Sequence, residues 1–283
     1  DPSAGVKELM TIRLVALDLD DTLLDSHLAI SRECQQAIEE VNQKGVKVTL
    51  ATGRMFKSAL PYAQQLNMNV PLITYQGAWV KNSFSGETIY YKPVPSEYGL
   101  LFLERVRSLP CHYQTYLGDE LYFDRLTPQG LAYAEMAGVE PVIVDRLETV
   151  VEQGPLKILV IEEDTDRLDC WERELRAEFG HCLYITRSKP HYLEAMHPEA
   201  TKAHALAALA AYCGISREEV MAVGDSYNDL DMIRWAGLGV AVANAREPVR
   251  KAADYVTCSN DEHGVAEALR KFVLEREERE GGI

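Results

Sequence analysis

A short apolar run that ends in a cluster of carboxylates constrains this chain more than any other feature. Residues 12–17 are almost continuously apolar, and Asp18, Asp20 and Asp21 follow within four positions. A run of this length and composition is typical of a strand that is buried on both faces. Charges that leave water are costly unless they are paired. We therefore expect the strand to end at a sheet edge where something compensates the carboxylates.

Strands and helices alternate on either side of a different middle segment. Hydrophobic periodicity predicts alternating strands and helices at residues 12–17, 31–44, 46–51, 55–66 and 71–75. The alternation returns near the C-terminus, with predicted elements at residues 201–213, 219–223, 229–235, 239–243 and 261–280. This order indicates a parallel sheet with helices on both faces.

The middle segment differs in amino-acid composition and in the order of its predicted elements. Residues 84–189 are richer in tyrosine and proline, and strand-like and helix-like runs are mixed. We interpret them as an α+β domain inserted into the first. The predicted fold class is therefore α/β, with a Rossmann-like parallel-sheet core at residues 11–83 and 190–275. Residues 1–10 and 276–283 are expected to be tails.

Polar residues of a particular kind follow the predicted strands. Thr52 and Gly53 come after the second strand, and Asp225, Asn228 and Asp229 come after a late one. Ligands of parallel sheets bind outside the carboxyl ends of the strands. Each residue taken singly has an ordinary interpretation as a turn or helix-cap residue. Their presence at one sheet edge favours a binding site.

Lys202 is less easily explained as an ordinary helix residue. It lies in the first turn of a predicted helix, where a cation faces the positive end of the helix dipole. That position is unfavourable unless an anion meets the ammonium group. We expect such an anion at the same sheet edge.

Four carboxylates at one edge imply a cation. Asp18, Asp20, Asp225 and Asp229 would repel one another strongly if they met without one. Mg²⁺ prefers oxygen ligands and usually takes a few carboxylates together with substrate phosphate. Thr52 and Lys202 could then hold the phosphoryl oxygens, which leaves one aspartate free to attack phosphorus.

Four segments together resemble a known family. "DLDDTLL", "ATGR", the lysine of "TKAHAL" and "GDSYNDLDM" match, in order, the four motifs of the haloacid dehalogenase superfamily of phosphohydrolases. The resemblance is greatest to the Cof-like, sugar-phosphatase type subgroup, whose α/β cap is inserted after the third core strand. The motifs cover the core halves, whereas the cap matches by position and length only.

The resemblance implies a role for each matched residue. Asp18 would be the nucleophile that forms an aspartyl-phosphate, and Asp20 the general acid and base. The implied phosphate-binding residues are Thr52, Gly53 and Lys202. The implied Mg²⁺ ligands are Asp18, the main-chain carbonyl of Asp20, and Asp225, with Asn228, Asp229 and Asn244 in support.

The chain departs from the subgroup pattern at two places. Asp21 stands where the family often has glycine. At the crossing from core to cap the subgroup usually has Asn-Gly-Ala, whereas this chain has Gln76, Gly77 and Ala78. The glutamine is one methylene longer than the asparagine it replaces.

The predicted function is a Mg²⁺-dependent phosphatase that hydrolyses small phosphorylated metabolites. A phosphomutase or phosphotransferase on the same core is the first alternative. A receiver-like signalling module that accepts phosphate is the second. The chain length and the inserted domain argue against a signalling module. Asp20 also argues against it, because an acid two residues after the nucleophile speeds hydrolysis of the phosphoryl group, whereas a signalling phosphate must persist.

Composition limits the partners. The formal net charge of −15 and the lack of a basic stripe argue against nucleic-acid binding. No stretch approaches the ~18 apolar residues of a membrane-spanning helix. The six cysteines are scattered without metal-site spacing and are expected to be free thiols in a reducing cytoplasm. We expect a small phosphorylated metabolite as partner, no nucleic acid or membrane, and a monomer or weak homodimer.

Overall fold

The computed structural model describes residues 11–275. Its strands are β1 (Leu14–Leu17), β2 (Lys47–Leu50), β3 (Leu72–Thr74), β4 (Trp79–Lys81), β5 (Thr88–Tyr91), β6 (His112–Leu117), β7 (Glu120–Phe123), β8 (Pro141–Ile143), β9 (Ile158–Ile161), β10 (Tyr184–Lys189), β11 (Tyr192–Met196), β12 (Val220–Gly224), β13 (Leu238–Ala241) and β14 (Tyr255–Val256). Its α-helices are α1 (Arg32–Gln43), α2 (Phe56–Gln65), α3 (Ser96–Arg107), α4 (Pro128–Ala137), α5 (Glu148–Val151), α6 (Thr165–Phe179), α7 (Lys202–Tyr212), α8 (Leu230–Trp235), α9 (Glu247–Ala252) and α10 (Gly264–Leu269).

A parallel sheet forms the core, in the order β14-β13-β12-β1-β2. β1 lies between β2 and β12, and Leu17 pairs with both Leu50 and Val223. The three strands therefore end at the same level, and the residues that follow them meet at one edge. The predicted α/β fold with a parallel central sheet is confirmed.

Strand β1 is buried on both of its faces, as its apolar run predicts. Val15 and Leu17 belong to the apolar cluster that contains residues of α1 and α10. Leu14 and Ala16 belong to a second cluster that contains residues of α7. Because side chains alternate across a strand, each face needs its own layer of helices.

The chain reverses direction immediately after β3. β3 joins the parallel sheet through a single bridge between Ala51 and Ile73, and it pairs antiparallel with β4, which pairs with β5. Tyr75, Gln76 and Gly77 have φ values of 50°, 63° and 115°. Three successive residues with positive φ form a tight reversal, which is costly for the two side-chain-bearing residues.

A second sheet, here called the insertion sheet, has the order β10-β11-β9-β6-β7-β8. Its neighbouring strands are antiparallel, apart from the parallel pair β7 and β8. Alternate residues face opposite sides: Leu193 packs with residues of α3 and α6, whereas Tyr192 belongs to the main core cluster. One face of the insertion sheet therefore covers the core.

Strand pairing indicates where the chain passes between the two sheets. Strand β5 pairs with the core-side strand β4, and β11 pairs with β9 of the insertion sheet. If the insertion spanned residues 84–189, as predicted from the sequence, β5 would belong to the inserted domain and β11 to the core. We propose that the inserted domain spans about residues 92–197, because strands belong with the sheet they bond to.

The C-terminal part of the described chain is less regular than expected. Helix α10 is short and continues as a π-helical segment at Arg270–Leu274. The predicted continuation to residue 280 lies outside the described residues, as do the predicted tails. No helix among residues 11–275 is both long and apolar enough to cross a membrane. The six cysteines, all within this range, form no disulfide.

Candidate active site

Three predicted residues form a buried acidic cluster. Asp18, Asp225 and Asp229 each have a carboxylate oxygen within 4.8 Å of the others, and all three are buried. Asp18 follows β1, where its main-chain N–H donates to the carbonyl of Val223 at 2.9 Å. The parallel pairing of β1 with β12 thus brings together residues that lie about two hundred positions apart in the sequence.

Lys202 lies within hydrogen-bond distance of two of these carboxylates. Its ammonium nitrogen is 2.9 Å from Asp18 Oδ1 and 2.6 Å from Asp229 Oδ1, and the side chain is fully buried. Burial by itself lowers the pKa of Lys202, but the charges of Asp18 and Asp229 raise it above its ordinary value. The anions expected at this helix start are therefore present.

The loop after β12 is organised by Asp229. Its second oxygen, Oδ2, accepts hydrogen bonds from the main-chain N–H groups of Asp225 and Ser226, at 2.9 and 3.1 Å. Gly224 is required by this arrangement, since an added Cβ would lie 2.5 Å from the Cβ of Asp229. Asp229 therefore holds both the loop and Lys202.

The acidic cluster carries more negative charge than its protein partners neutralise. Burial and then the charge of Asp18 raise the pKa of Asp225 well above its ordinary value. The same two causes raise the pKa of Asp229 to about 6, against the opposing effect of Lys202. Lys202 supplies one positive charge beside three carboxylates, so a proton or a cation is needed to balance their negative charge.

Two further polar atoms, the Thr22 hydroxyl and Asn228 Oδ1, indicate that a cation binds at the cluster. The Thr22 hydroxyl is 3.0 Å from Asp18 Oδ2 and 2.9 Å from Asp225 Oδ1, but it has one proton to donate. Asn228 Oδ1 is buried and has no hydrogen-bond partner among residues 11–275. Carboxylate and amide oxygens form the donor set that a hard divalent cation prefers, so these residues fit a bound metal ion.

Thr52 and Gly53 lie at the end of β2, beside the acidic cluster. Thr52 is buried, and its main-chain N–H donates to the carbonyl of Ile73 at 2.9 Å. Gly53 packs so closely on Gln76 that an added Cβ would lie 2.4 Å from Gln76 Nε2. Both residues line the same cavity as Asp18 and Asp20.

Asp20 forms an ion pair that sequence reasoning missed. Arg54 Nε and Nη2 donate to its two oxygens, at 2.8 and 2.7 Å. Burial raises the pKa of Asp20, but the hydrogen bonds and charge of Arg54 outweigh this effect and lower it below its ordinary value. The "ATGR" segment contained the signal, because an arginine two residues after Thr52 is near the same edge.

Asn244 lies outside the cavity wall. Its Nδ2 donates to the main-chain carbonyl of Asp21 at 2.9 Å, and its Oδ1 accepts from the N–H of Asn260 at 3.0 Å. The side chain thus supports the loop that carries Asp20.

The inserted domain forms one side of the cavity. Lys157 Nζ donates to the carbonyl of Gly53 at 2.7 Å, and Asp119 accepts from the Tyr75 hydroxyl at 2.6 Å. The cavity, of about 60 Å³, has room for a few water molecules. Its lining residues contributed by the inserted domain, none of them predicted from sequence, include Tyr133, Met136, Lys157, Ser188, Lys189, Tyr192 and Glu194.

A family model described as haloacid dehalogenase-like hydrolase matches residues 15–269. The chain belongs to this family. The resemblance read from the four motifs is confirmed, and with it the predicted enzyme class, a phosphatase-type hydrolase.

Individual relatives match along nearly the whole chain. A putative phosphatase of Bacillus subtilis, YxeH, is 32% identical over 93% of this chain and 98% of its own length. The 5-amino-6-(5-phospho-D-ribitylamino)uracil phosphatase YcsE of the same organism is 34% identical over 95% of this chain and 98% of its own. A solved haloacid dehalogenase-like hydrolase from Bacteroides thetaiotaomicron is 35% identical, with a TM-score of 0.82 over 92% of this chain and 99% of its own.

Proposed function

We propose that the protein is a Mg²⁺-dependent phosphatase that hydrolyses small phosphomonoesters through an aspartyl-phosphate on Asp18. The observation that carries the proposal is the buried cluster of Asp18, Asp225 and Asp229 with Lys202. Such a cluster, with three carboxylates and one ammonium group, is costly unless it also binds a cation. Every group that the reaction needs comes from one chain, which supports activity as a monomer or weak homodimer.

The first step forms an acyl phosphate. A carboxylate oxygen of Asp18 attacks phosphorus while the bond to the leaving oxygen breaks, and that oxygen takes a proton from Asp20. Lys202 and Thr52 hold the phosphoryl oxygens. Asp18, Asp225 and the main-chain carbonyl of Asp20 would hold Mg²⁺, which when bound supplies positive charge against the phosphoryl group.

The second step returns the enzyme to its starting state. Asp20 removes a proton from a water molecule, whose oxygen attacks phosphorus, and the bond from Asp18 to phosphorus breaks. Inorganic phosphate leaves and Asp18 is again a carboxylate. Asp20 therefore has to lose and regain one proton in each turnover.

The ion pair with Arg54 favours the base form of Asp20. It lowers the pKa of Asp20 in the ligand-free structure, which suits the second step but opposes the first. A phosphoryl group entering beside Asp20 adds negative charge, which raises its pKa, and competes for Arg54. We infer that substrate binding itself prepares Asp20 to act as an acid.

The cavity walls support a polyhydroxylated leaving group. Tyr133 and Tyr192 offer ring surfaces, and Lys189 offers a charged hydrogen-bonding group. The relative YcsE is named for a substrate with a phosphate on a ribityl chain, which is also polyhydroxylated. We propose sugar phosphates or similar polyol phosphates as substrates.

Removal of metal is expected to abolish phosphate release. Purified protein should be inactive in excess EDTA and should recover with Mg²⁺, while Ca²⁺ should inhibit, because calcium prefers more ligands and longer bonds. The measurement is kcat/KM for release of inorganic phosphate across a panel of phosphorylated metabolites. Full activity in excess chelator would refute the metal requirement. Transfer of the phosphoryl group to a sugar hydroxyl in place of water would indicate a mutase.

Replacement of Asp20 by asparagine is expected to separate the two chemical steps. A sugar alkoxide needs a proton to leave, so phosphoenzyme formation from a sugar phosphate should slow by about 10²–10⁴. p-Nitrophenolate leaves without a proton, so p-nitrophenyl phosphate should give a burst of product and a phosphorylated enzyme in intact-mass spectra. Equal losses on both substrates with no trapped intermediate would mean that Asp20 has only a positioning role.

A further inference from the structure

Gln76, the residue at which this chain departs from its subgroup, is held in an unusual conformation. The residue is 1% exposed, and its backbone has a φ of 63°. Its main-chain N–H donates to the carbonyl of Thr52 at 3.0 Å, and that of Tyr75 donates to Arg54 at 2.9 Å. Strained residues persist only where their surroundings determine them, so these main-chain contacts hold the backbone at Gln76 in place.

The two ends of the Gln76 amide contact different parts of the molecule. Nε2 donates to Oε2 of Glu194, on β11 of the insertion sheet, at 2.5 Å. Oε1 accepts from Nδ2 of Asn228, in the loop after β12, at 2.8 Å. One amide therefore connects the insertion sheet to the loop that carries the acidic cluster.

Glu194 determines which way this amide points. A carboxylate can only accept hydrogen bonds. Its other oxygen, Oε1, pairs with Lys157 Nζ at 2.8 Å, and both side chains are almost fully buried. Gln76 must therefore turn Nε2 toward Glu194 and Oε1 toward Asn228. Asn228 must in turn use Nδ2 as the donor, which leaves its Oδ1 without a partner among residues 11–275.

We propose that Glu194 sets the orientation of the Asn228 amide through Gln76, so that Asn228, which lines the active-site cavity, keeps its buried Oδ1 as an acceptor without a partner among residues 11–275. We call this chain of hydrogen bonds, from Glu194 through Gln76 to Asn228, the relay. The acceptor at Glu194 requires a donor from Gln76, and the oxygen that Gln76 then turns the other way requires a donor from Asn228. Glu194 and Gln76 are positioning residues, since neither need touch the reacting atoms. The relay deepens the proposed function and rests on it, because an amide oxygen beside the acidic cluster suits a bound cation.

The length of the side chain at position 76 is part of the relay. Its two contacts, at 2.5 and 2.8 Å, leave little room for a shorter side chain to make both. Gly53 leaves the space that the longer side chain occupies. The glutamine that replaces the subgroup's asparagine is therefore matched by Glu194, its hydrogen-bond partner on the insertion sheet. The site is complete only when the insertion sheet lies on the core.

Glu194→Gln tests the relay with almost no change in shape. The new amide can donate to Gln76 Oε1, which allows the whole chain of amides to reverse and turn Asn228 Nδ2 toward the cavity. We expect the Kd for Mg²⁺, measured by calorimetry, to rise at least about tenfold, as for other changes behind a metal site. The exposed Glu140→Gln, also in the inserted domain, is the matched control and should bind Mg²⁺ as the wild type does.

A double-mutant cycle separates the relay from the effect of Glu194 on Lys157. In a Gln76→Leu background the relay is broken, so adding Glu194→Gln should change the Kd for Mg²⁺ no further. Equal effects of Glu194→Gln in both backgrounds, or none in either, would overturn the proposal. Thermal unfolding of each variant identifies any loss that comes from misfolding, and Gln76→Asn provides a milder break of the same contact.

A metal-free measurement keeps the relay separate from the proposed function. In ¹⁵N-labelled protein without metal, the side-chain amide signal of Asn228 should shift in Glu194→Gln but not in Glu140→Gln. The signal should not respond to Glu194→Gln once Gln76 is leucine. An unmoved Asn228 signal overturns the relay even if the protein is a phosphatase. A shifted signal in a protein that releases no phosphate supports the relay and refutes the proposed function.

Discussion

Replacing Asp18 by asparagine is expected to abolish turnover, with kcat/KM reduced by at least about 10³. An amide does not attack phosphorus and binds a divalent cation poorly, so both the proposed nucleophile and a proposed metal ligand are lost. Asp18 contacts Lys202 and Thr22 directly, and no other carboxylate among residues 11–275 contacts both. The measurement is steady-state phosphate release together with a search for phosphoenzyme by intact mass.

Stability should move in the opposite direction from activity. The charge of Asp18 contributes to the raised pKa values of Asp225 and Asp229, so removing it relieves repulsion in the metal-free protein. We expect an unfolding temperature at least equal to that of the wild type. A variant that is inactive because it is unfolded would not support the nucleophile assignment.

Asp21→Asn is a matched control for this substitution. Asp21 is exposed in the same loop and has a φ of 60°, a conformation that asparagine tolerates well. It should keep activity within about threefold of the wild type. An Asp18→Asn protein that retained more than about a tenth of the wild-type rate would require a different nucleophile.

Lys202→Met is expected to impair both activity and folding. Loss of the ammonium group removes positive charge from the place where charge builds up around phosphorus, which should lower kcat/KM by about 10²–10³. It also leaves Asp18 and Asp229 buried without their cation. Breaking a buried ion pair in this way costs about 3–5 kcal/mol in the free energy of unfolding.

Addition of Mg²⁺ tests the predicted loss in the free energy of unfolding. The metal-free variant should unfold at lower denaturant concentration than the wild type, and Mg²⁺ should recover part of the difference by binding the same carboxylates. Lys251→Met is the control, since that lysine is exposed in a surface pair with Glu247. An unchanged denaturation midpoint for Lys202→Met would show that the carboxylates are neutral in the metal-free protein.

The location of the site could be predicted from sequence because its evidence is local. An apolar run such as the one before Asp18 predicts a buried strand, and a parallel sheet brings the ends of its strands to one edge. Asp18, Thr52 and Asp225 each follow such a strand directly. The structure places all three at the predicted edge, with Lys202 at the start of the helix that leads back to it.

The partners of these residues could not be predicted in the same way. Arg54 binds Asp20, and Thr22 lies between two carboxylates, although both stand in the motifs themselves. A motif states which residues are near the edge, but it does not state which of their side chains meet. That depends on rotamers and on distances of a few tenths of an ångström.

The sequence by itself determined the parallel-sheet core and the sheet edge at which Asp18, Asp225 and Asp229 meet, because strand ends and helix starts are local properties. It did not separate Asp20 from this cluster, and in the structure Asp20 pairs with Arg54. Only the tertiary structure decided how the inserted domain completes the site. Glu194 reaches Gln76 across 118 positions of sequence, and Lys157 reaches Gly53 across 104. These contacts exist because the insertion sheet lies over the core, and no local sequence pattern specifies where two separate sheets will touch.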